Sequence, residues 1–153
     1  MINEDVKSFL SSANHYCTMI DSLHGFNEKS LDELLAALLE LYIKALRLPE
    51  VEPDHAEAPQ FEISFPKADF AKYEYYWEVF DPYKLEEPVC GSLSDDILDI
   101  YKDLKEGIIL FEQNTPNEAI WHLKFSFQTH WGLHAVNALR ALHAVKGDIK
   151  EEC

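Results

Sequence analysis

Basic residues are few in this sequence: Lys and Arg together number 13 against 28 Asp and Glu, a formal net charge of −15. A surface of that sign repels phosphate backbones and anionic headgroups, which argues against nucleic acid and membrane as partners. Glycine is also scarce, at 5 in 153 residues, and there is no Gly-rich phosphate loop. The three cysteines, Cys17, Cys90 and Cys153, cannot all pair with one another, and no C-x-x-C spacing exists. A reduced, cytoplasmic chain is the simpler expectation, with Cys90 a structural thiol. No apolar run approaches the ~20 residues that a membrane span requires. The acidic start, Met1-Ile2-Asn3-Glu4-Asp5, is unlike a signal peptide. A serine nucleophile elbow and a kinase signature are missing too, and no helical pattern carries a Glu-x-x-His pair of the kind that builds di-iron bundles. The length suits a single domain over 1–148, with a short tail at 149–153.

What the chain does have is helical periodicity. Val6, Phe9, Leu10, Ala13, Cys17 and Ile20 recur at three- and four-residue steps, and Gly25 follows where a left-handed residue often ends a helix. Ser30-Leu31-Asp32-Glu33 reads as a capping box opening a second helix, whose Leu31, Leu34, Leu35, Leu38, Leu39, Leu41, Tyr42, Ala45 and Leu46 cover most of its circumference. Pro49, Pro53, Pro59 and Pro66 then break the pattern over 47–66, and Phe61, Ile63 and Phe65 alternate there as a short extended segment would. The spacing of Phe70, Tyr73, Trp77 and Phe80 predicts a short helix over 68–80. Ser92 or Ser94 caps a fourth helix with Ile97, Ile100, Tyr101, Leu104, Ile108 and Phe111 inward. Thr115-Pro116-Asn117-Glu118 opens a fifth that reaches Lys146, with Gly147 past its end and a kink expected at Gly132. The expected fold is all-α: an irregular bundle of about five helices with a long Pro-rich loop.

Chemistry concentrates on the fifth helix. His130-Trp131-Gly132-Leu133-His134 puts two imidazoles four residues apart, on one face, where both can ligate a single divalent metal ion. Asp95, Asp96 and Asp99 of the fourth helix are the candidate oxygen ligands; the alternative is a solvated acidic face paired with Lys102, and histidines that merely pack. Trp131 stands where a zinc-protease motif would carry glutamate, so that activity is not indicated. No cofactor is assigned. A ligand or partner surface is a further possibility, with Tyr76, Trp77 and Trp131 as its aromatic wall and His122, Asn137 and Arg140 on the polar ribbon of the fifth helix.

Three segments carry a resemblance: Glu74-Tyr75-Tyr76-Trp77-Glu78-Val79-Phe80-Asp81-Pro82-Tyr83, Glu87-Pro88-Val89-Cys90-Gly91-Ser92-Leu93-Ser94-Asp95-Asp96, and His130-Trp131-Gly132-Leu133-His134 with Ala138-Leu139-Arg140-Ala141-Leu142-His143. Together they resemble a family of short bacterial proteins known as a domain of unknown function. The resemblance implies a bacterial, cytosolic, helical protein and carries no catalytic roles. The functional expectation is a non-enzymatic binding module, in one form an inhibitor or immunity-like partner of a basic protein, since −15 speeds such association. A metal-binding protein or metal-dependent enzyme using His130 and His134 is the alternative. The sequence sets no oligomeric state.

Overall fold

The computed structural model describes residues 3–54 and 60–151, the last three by their helical backbone alone. Helix α1 spans Glu4–Asp21, opened by Asn3, whose side chain accepts from Val6 N at 2.9 Å. Its predicted stripe is buried, joined by Tyr16, and Gly25 beyond its end has φ +80°, which an L side chain rarely adopts. Helix α2 spans Glu28–Ala45 and starts earlier than expected. Its capping box is Asn27 with Ser30 rather than Ser30 with Glu33: each side-chain oxygen accepts from the other residue's amide at 2.9 Å. Leu31, Leu34, Leu38 and Leu41 are buried, whereas Leu39, Ile43 and Leu46 are exposed, so α2 lies at the side of the bundle instead of its centre.

The Pro-rich stretch forms no strand among its described residues. It lies against α4 (Pro116–Ser126), where the Glu118 carboxylate accepts from Asp54 N at 2.7 Å and Lys124 Nζ donates to Leu48 O at 2.6 Å. Glu118 therefore serves the loop; Thr115 donates its hydroxyl to Leu110 O at 2.6 Å and makes no capping box with it.

The helix expected over 68–80 is absent. One 3-10 turn, Ala71–Tyr73, leads into strand β1 (Tyr75–Glu78), antiparallel to β2 (Val89–Ser92) with Tyr76 opposite Gly91. The fold is thus mainly helical with a small two-stranded sheet. Aromatic and β-branched residues suit a pleated, half-buried surface, and that preference outweighs the helical spacing once Trp77 and Phe80 need no burial. Gly91 makes room for the Tyr76 ring: a Cβ there would come within 2.5 Å of it.

Helix α3 (Leu93–Glu112) follows β2 directly, with Ser92 as its N-cap. The Glu74 carboxylate accepts from Ser94 N at 3.1 Å and from the Ser92 and Ser94 hydroxyls, and Leu93 N donates to Glu74 O at 2.8 Å. These bonds anchor the hairpin to the start of α3. Helix α4, a π turn over Phe127–Trp131, and α5 (Gly132–Glu151) run on as one rod, which passes through Gly147 rather than stopping before it. In the packed bundle α1 lies against α2 and α3, α5 against α2 and α3, and α4 against α3. No helix among the described residues is long and apolar enough to cross a membrane.

The irregularity expected at Gly132 takes the form of that π turn. Gly132 N donates to Phe127 O, and a Cβ on Gly132 would sit 2.4 Å from the same carbonyl oxygen. Gly132→Ala should therefore force the turn to rearrange, at a cost of about 1–3 kcal/mol, as overpacking generally does. Chemical denaturation checks this; an unchanged midpoint would show that the π turn tolerates a side chain there.

Candidate functional site

Asp96, Asp99, Asp103 and Glu106 lie at three- and four-residue steps, which puts them along one stripe of α3. The rod of α4, π turn and α5 packs beside α3 with opposite polarity, so His134 meets Asp96, His130 meets Asp103, and His122 meets Glu106. The acidic stripe is not a solvated face: Asp96 is 4% exposed and Asp103 8%. Burial of these carboxylates is offset by hydrogen bonds from the histidines.

His130 Nδ1 lies 2.6 Å from Asp103 Oδ2, and His134 Nδ1 lies 2.6 Å from Asp96 Oδ1. An ionised carboxylate only accepts, so each Nδ1 carries the proton and each Nε2 is turned outward. Both Nε2 atoms face Asp99 Oδ2, at 3.2 Å from His134 and 4.0 Å from His130. Ligand atoms of Asp99, His130 and His134 all fall within 4.8 Å of one another. Two ligands held ~2.0–2.2 Å from a tetrahedral ion are ~3.4 Å apart, so small side-chain adjustments bring the three onto one ion. Asp103 and Asp96 then fix tautomer and ring orientation from behind, as carboxylates behind metal-bound histidines do. The Tyr76 hydroxyl donates to the second oxygen of Asp96, completing that carboxylate's bonding from β1.

The hydrogen bond from Asp96, with the charges of Asp96, Asp99 and Asp103, raises the His134 pKa, while burial opposes the rise. A raised folded-state pKa gives stability that is complete below the unfolded value and is lost as pH rises through the folded one. The stability margin of the metal-free protein over His134→Gln should therefore be full below the ordinary histidine value of about 6.5 and shrink as pH rises above it, through the raised folded-state value. Urea melts of both proteins across that range measure it, and a margin that widens with pH would reverse the sign. Nearby, burial and the Asp96 charge raise the pKa of Glu78, and Glu78 Oε2 is buried without a hydrogen-bond partner.

Of the residues expected from sequence, Asp99, His130 and His134 converge, and Asp96 stands behind His134 rather than beside the ion position. Asp95 is exposed in the first turn of α3 and bonds to neither histidine. Trp131 is no part of a ligand wall. It is fully buried against Phe127 and Phe9, ring centroids 4.8 and 6.0 Å away, and donates Nε1–H to Leu123 O at 3.3 Å. His122 turns toward α3, 3.2 Å from Asp103 O and 3.5 Å from Glu106 Oε2. Asp103, Glu106 and His122 form a second close group, also within 4.8 Å. Tyr76, Trp77, Asn137 and Arg140 line a cavity between β1 and α5. Asp103 and Glu106 belong to the acidic face that the spacing of the fourth helix offers opposite the histidines, whereas Glu78 escaped the sequence reading. For Glu78 there was no signal, because its segment reads as helix.

Fold and site together define a helical-bundle protein with a histidine–carboxylate cluster across two antiparallel rods. The chain belongs to the family described as domain of unknown function DUF5063, whose model matches residues 1–148. It is similar to the crystal structure of protein BF1032 from Bacteroides fragilis, at 25% identity and a TM-score of 0.78, over 94% of this chain and 93% of that one. No curated protein matches the sequence.

Proposed function

We propose that this protein binds a divalent transition-metal ion through His130 Nε2, His134 Nε2 and Asp99 Oδ2. The observation that carries this reading is the pair of imidazoles, each held at Nδ1 by its own carboxylate at 2.6 Å, with both free nitrogens facing one further carboxylate. Packing alone needs only one partner per ring. Two nitrogens and one oxygen suit zinc or ferrous iron, and three protein ligands leave a coordination position for water, as catalytic centres do. Asp99 and His130 are each nearly half exposed, which leaves a route for an ion to enter. A cytoplasmic setting belongs to the same reading, and the free thiols of Cys17 and Cys90 agree with it.

Equilibrium dialysis of the metal-free protein against zinc tests the proposal. One ion per chain is expected, absent in His134→Ala, and Asp103→Asn should weaken affinity about 10–100-fold, as loss of a carboxylate behind a ligand does. Full retention of zinc by His134→Ala would remove the assignment and leave Asp96–His134–Asp99 as a structural ion pair.

A second reading, a module for a basic protein partner, is supported by Trp77, Phe80 and Tyr83, 72, 72 and 97% exposed on the hairpin of a chain carrying −15. A partner captured at low salt, and lost both at high salt and with Trp77→Ser/Phe80→Ser, supports it; capture indifferent to both counts against it.

A further inference from the structure

The cavity between β1 and α5 has a volume of about 470 Å³, the size that takes a small metabolite. Its walls are the aromatic Tyr75 and Trp77 on one side and the short Ala141 and Ala144 on the other. Two charged side chains in its lining are short of partners: Arg140, and Glu78 at one carboxylate oxygen, the Tyr76 hydroxyl and the His134 charge favouring the ionised form of the latter. Glu78 Oε2 is buried with no donor, although buried carboxylate oxygens are normally hydrogen-bonded. Arg140, at the exposed rim, makes no hydrogen bond or ion pair among the described residues, in a chain where acidic groups outnumber basic ones by two to one. The other acid and base of the lining, Asp148 and Lys72, lie 3.8 Å apart, and the Tyr73 hydroxyl donates to Asp148 at 2.5 Å.

We infer that this cavity binds a small zwitterion of the α-amino-acid class, with its ammonium on Glu78, its carboxylate on Arg140 and an apolar side chain between Trp77 and the alanines of α5. An ammonium is the donor that a buried carboxylate lacks, and guanidinium is the natural partner of a carboxylate because its fork matches the two oxygens. The aromatic wall takes an apolar body and adds cation–π attraction for the ammonium. This site is distinct from the proposed metal position. It adjoins it through Tyr76, which lines the cavity and bonds to Asp96 behind His134.

Calorimetric titration of the metal-free protein with phenylalanine, phenylacetate and phenethylamine tests the idea, because the last two each lack one charged end. Phenylalanine should bind, and the other two should each bind at least about tenfold more weakly, since one charge-assisted hydrogen bond is worth that factor or more. Arg140→Gln should abolish the advantage of phenylalanine over phenethylamine, and Glu78→Gln its advantage over phenylacetate; the exposed Arg47→Gln is the control. Circular dichroism melts confirm that each variant is folded. Equal binding of the three compounds, unchanged preferences in folded variants, or no binding at about 10 mM phenylalanine would overturn the assignment. Repeating the titration with His130→Ala/His134→Ala separates the two proposals, because this site should persist when zinc binding is lost.

Discussion

Zinc at about a hundred times its dissociation constant should raise the melting temperature of the metal-free protein by roughly 5–11 °C. A ligand that binds only the folded state stabilises it by RT ln(1 + [L]/Kd), about 2.7 kcal/mol at that ratio. Each kcal/mol moves the midpoint of a chain this size by about 2–4 °C. The gain requires Asp99, His130 and His134 to meet one ion, so it should vanish in His130→Ala/His134→Ala and be reversed by chelator in the parent. It should also fade at low pH, because ligands must shed their protons before they bind metal. A scanning-calorimetry series with zinc, manganese and magnesium measures it. Magnesium should do little, since it prefers an all-oxygen shell. An equal shift from all three ions would indicate general screening of the −15 charge, and a shift that survives the double variant would place the ion elsewhere.

Leu38→Asp should cost about 4–6 kcal/mol and lower the melting temperature by about 8–24 °C. Leu38 is fully buried in the core that α1, α2 and α5 share. The substitution removes the leucine's packing and also buries a carboxyl group with no donor to receive it. A domain of this length has on the order of 8–15 kcal/mol in all, so the variant sits near the limit of folding. The damage should be smaller at acid pH, where the new carboxyl is neutral, and urea midpoints at two pH values would show it. A nearly unchanged midpoint would mean that α2 can turn the position toward water, as it already does with Leu39 and Ile43.

How much of the site could be read in the chain depends on which contacts are local. His130 and His134 share a face because both belong to one helical segment, and the same holds for Asp96, Asp99 and Asp103 on α3. Periodicity along a helix reports such pairs directly. Which histidine meets which aspartate depends on the register of two rods that are far apart in sequence, and no local pattern contains it. For that reason Asp96 was expected beside the ion and stands behind His134, while the acidic face, open to being read as solvated, buries Asp96 and Asp103. Trp131 illustrates the same limit: its neighbours on the helix wheel suited a ligand wall, but Phe9 from α1 closes over it.

The sequence by itself determined four of the helical segments, their buried stripes apart from Leu39 and Leu46 of α2, the left-handed Gly25, the disruption at Gly132 and the acidic balance, because each rests on local propensity or composition. Only the tertiary structure decided that 74–92 becomes a hairpin. Tyr76 can reach Asp96 only from an extended strand, and its ring needs Gly91 opposite, fifteen residues onward in the chain. The histidine–carboxylate cluster and the cavity beside β1 arise in the same way. Both are built from side chains distant in sequence, which come together only when apolar faces pack and set the register between elements.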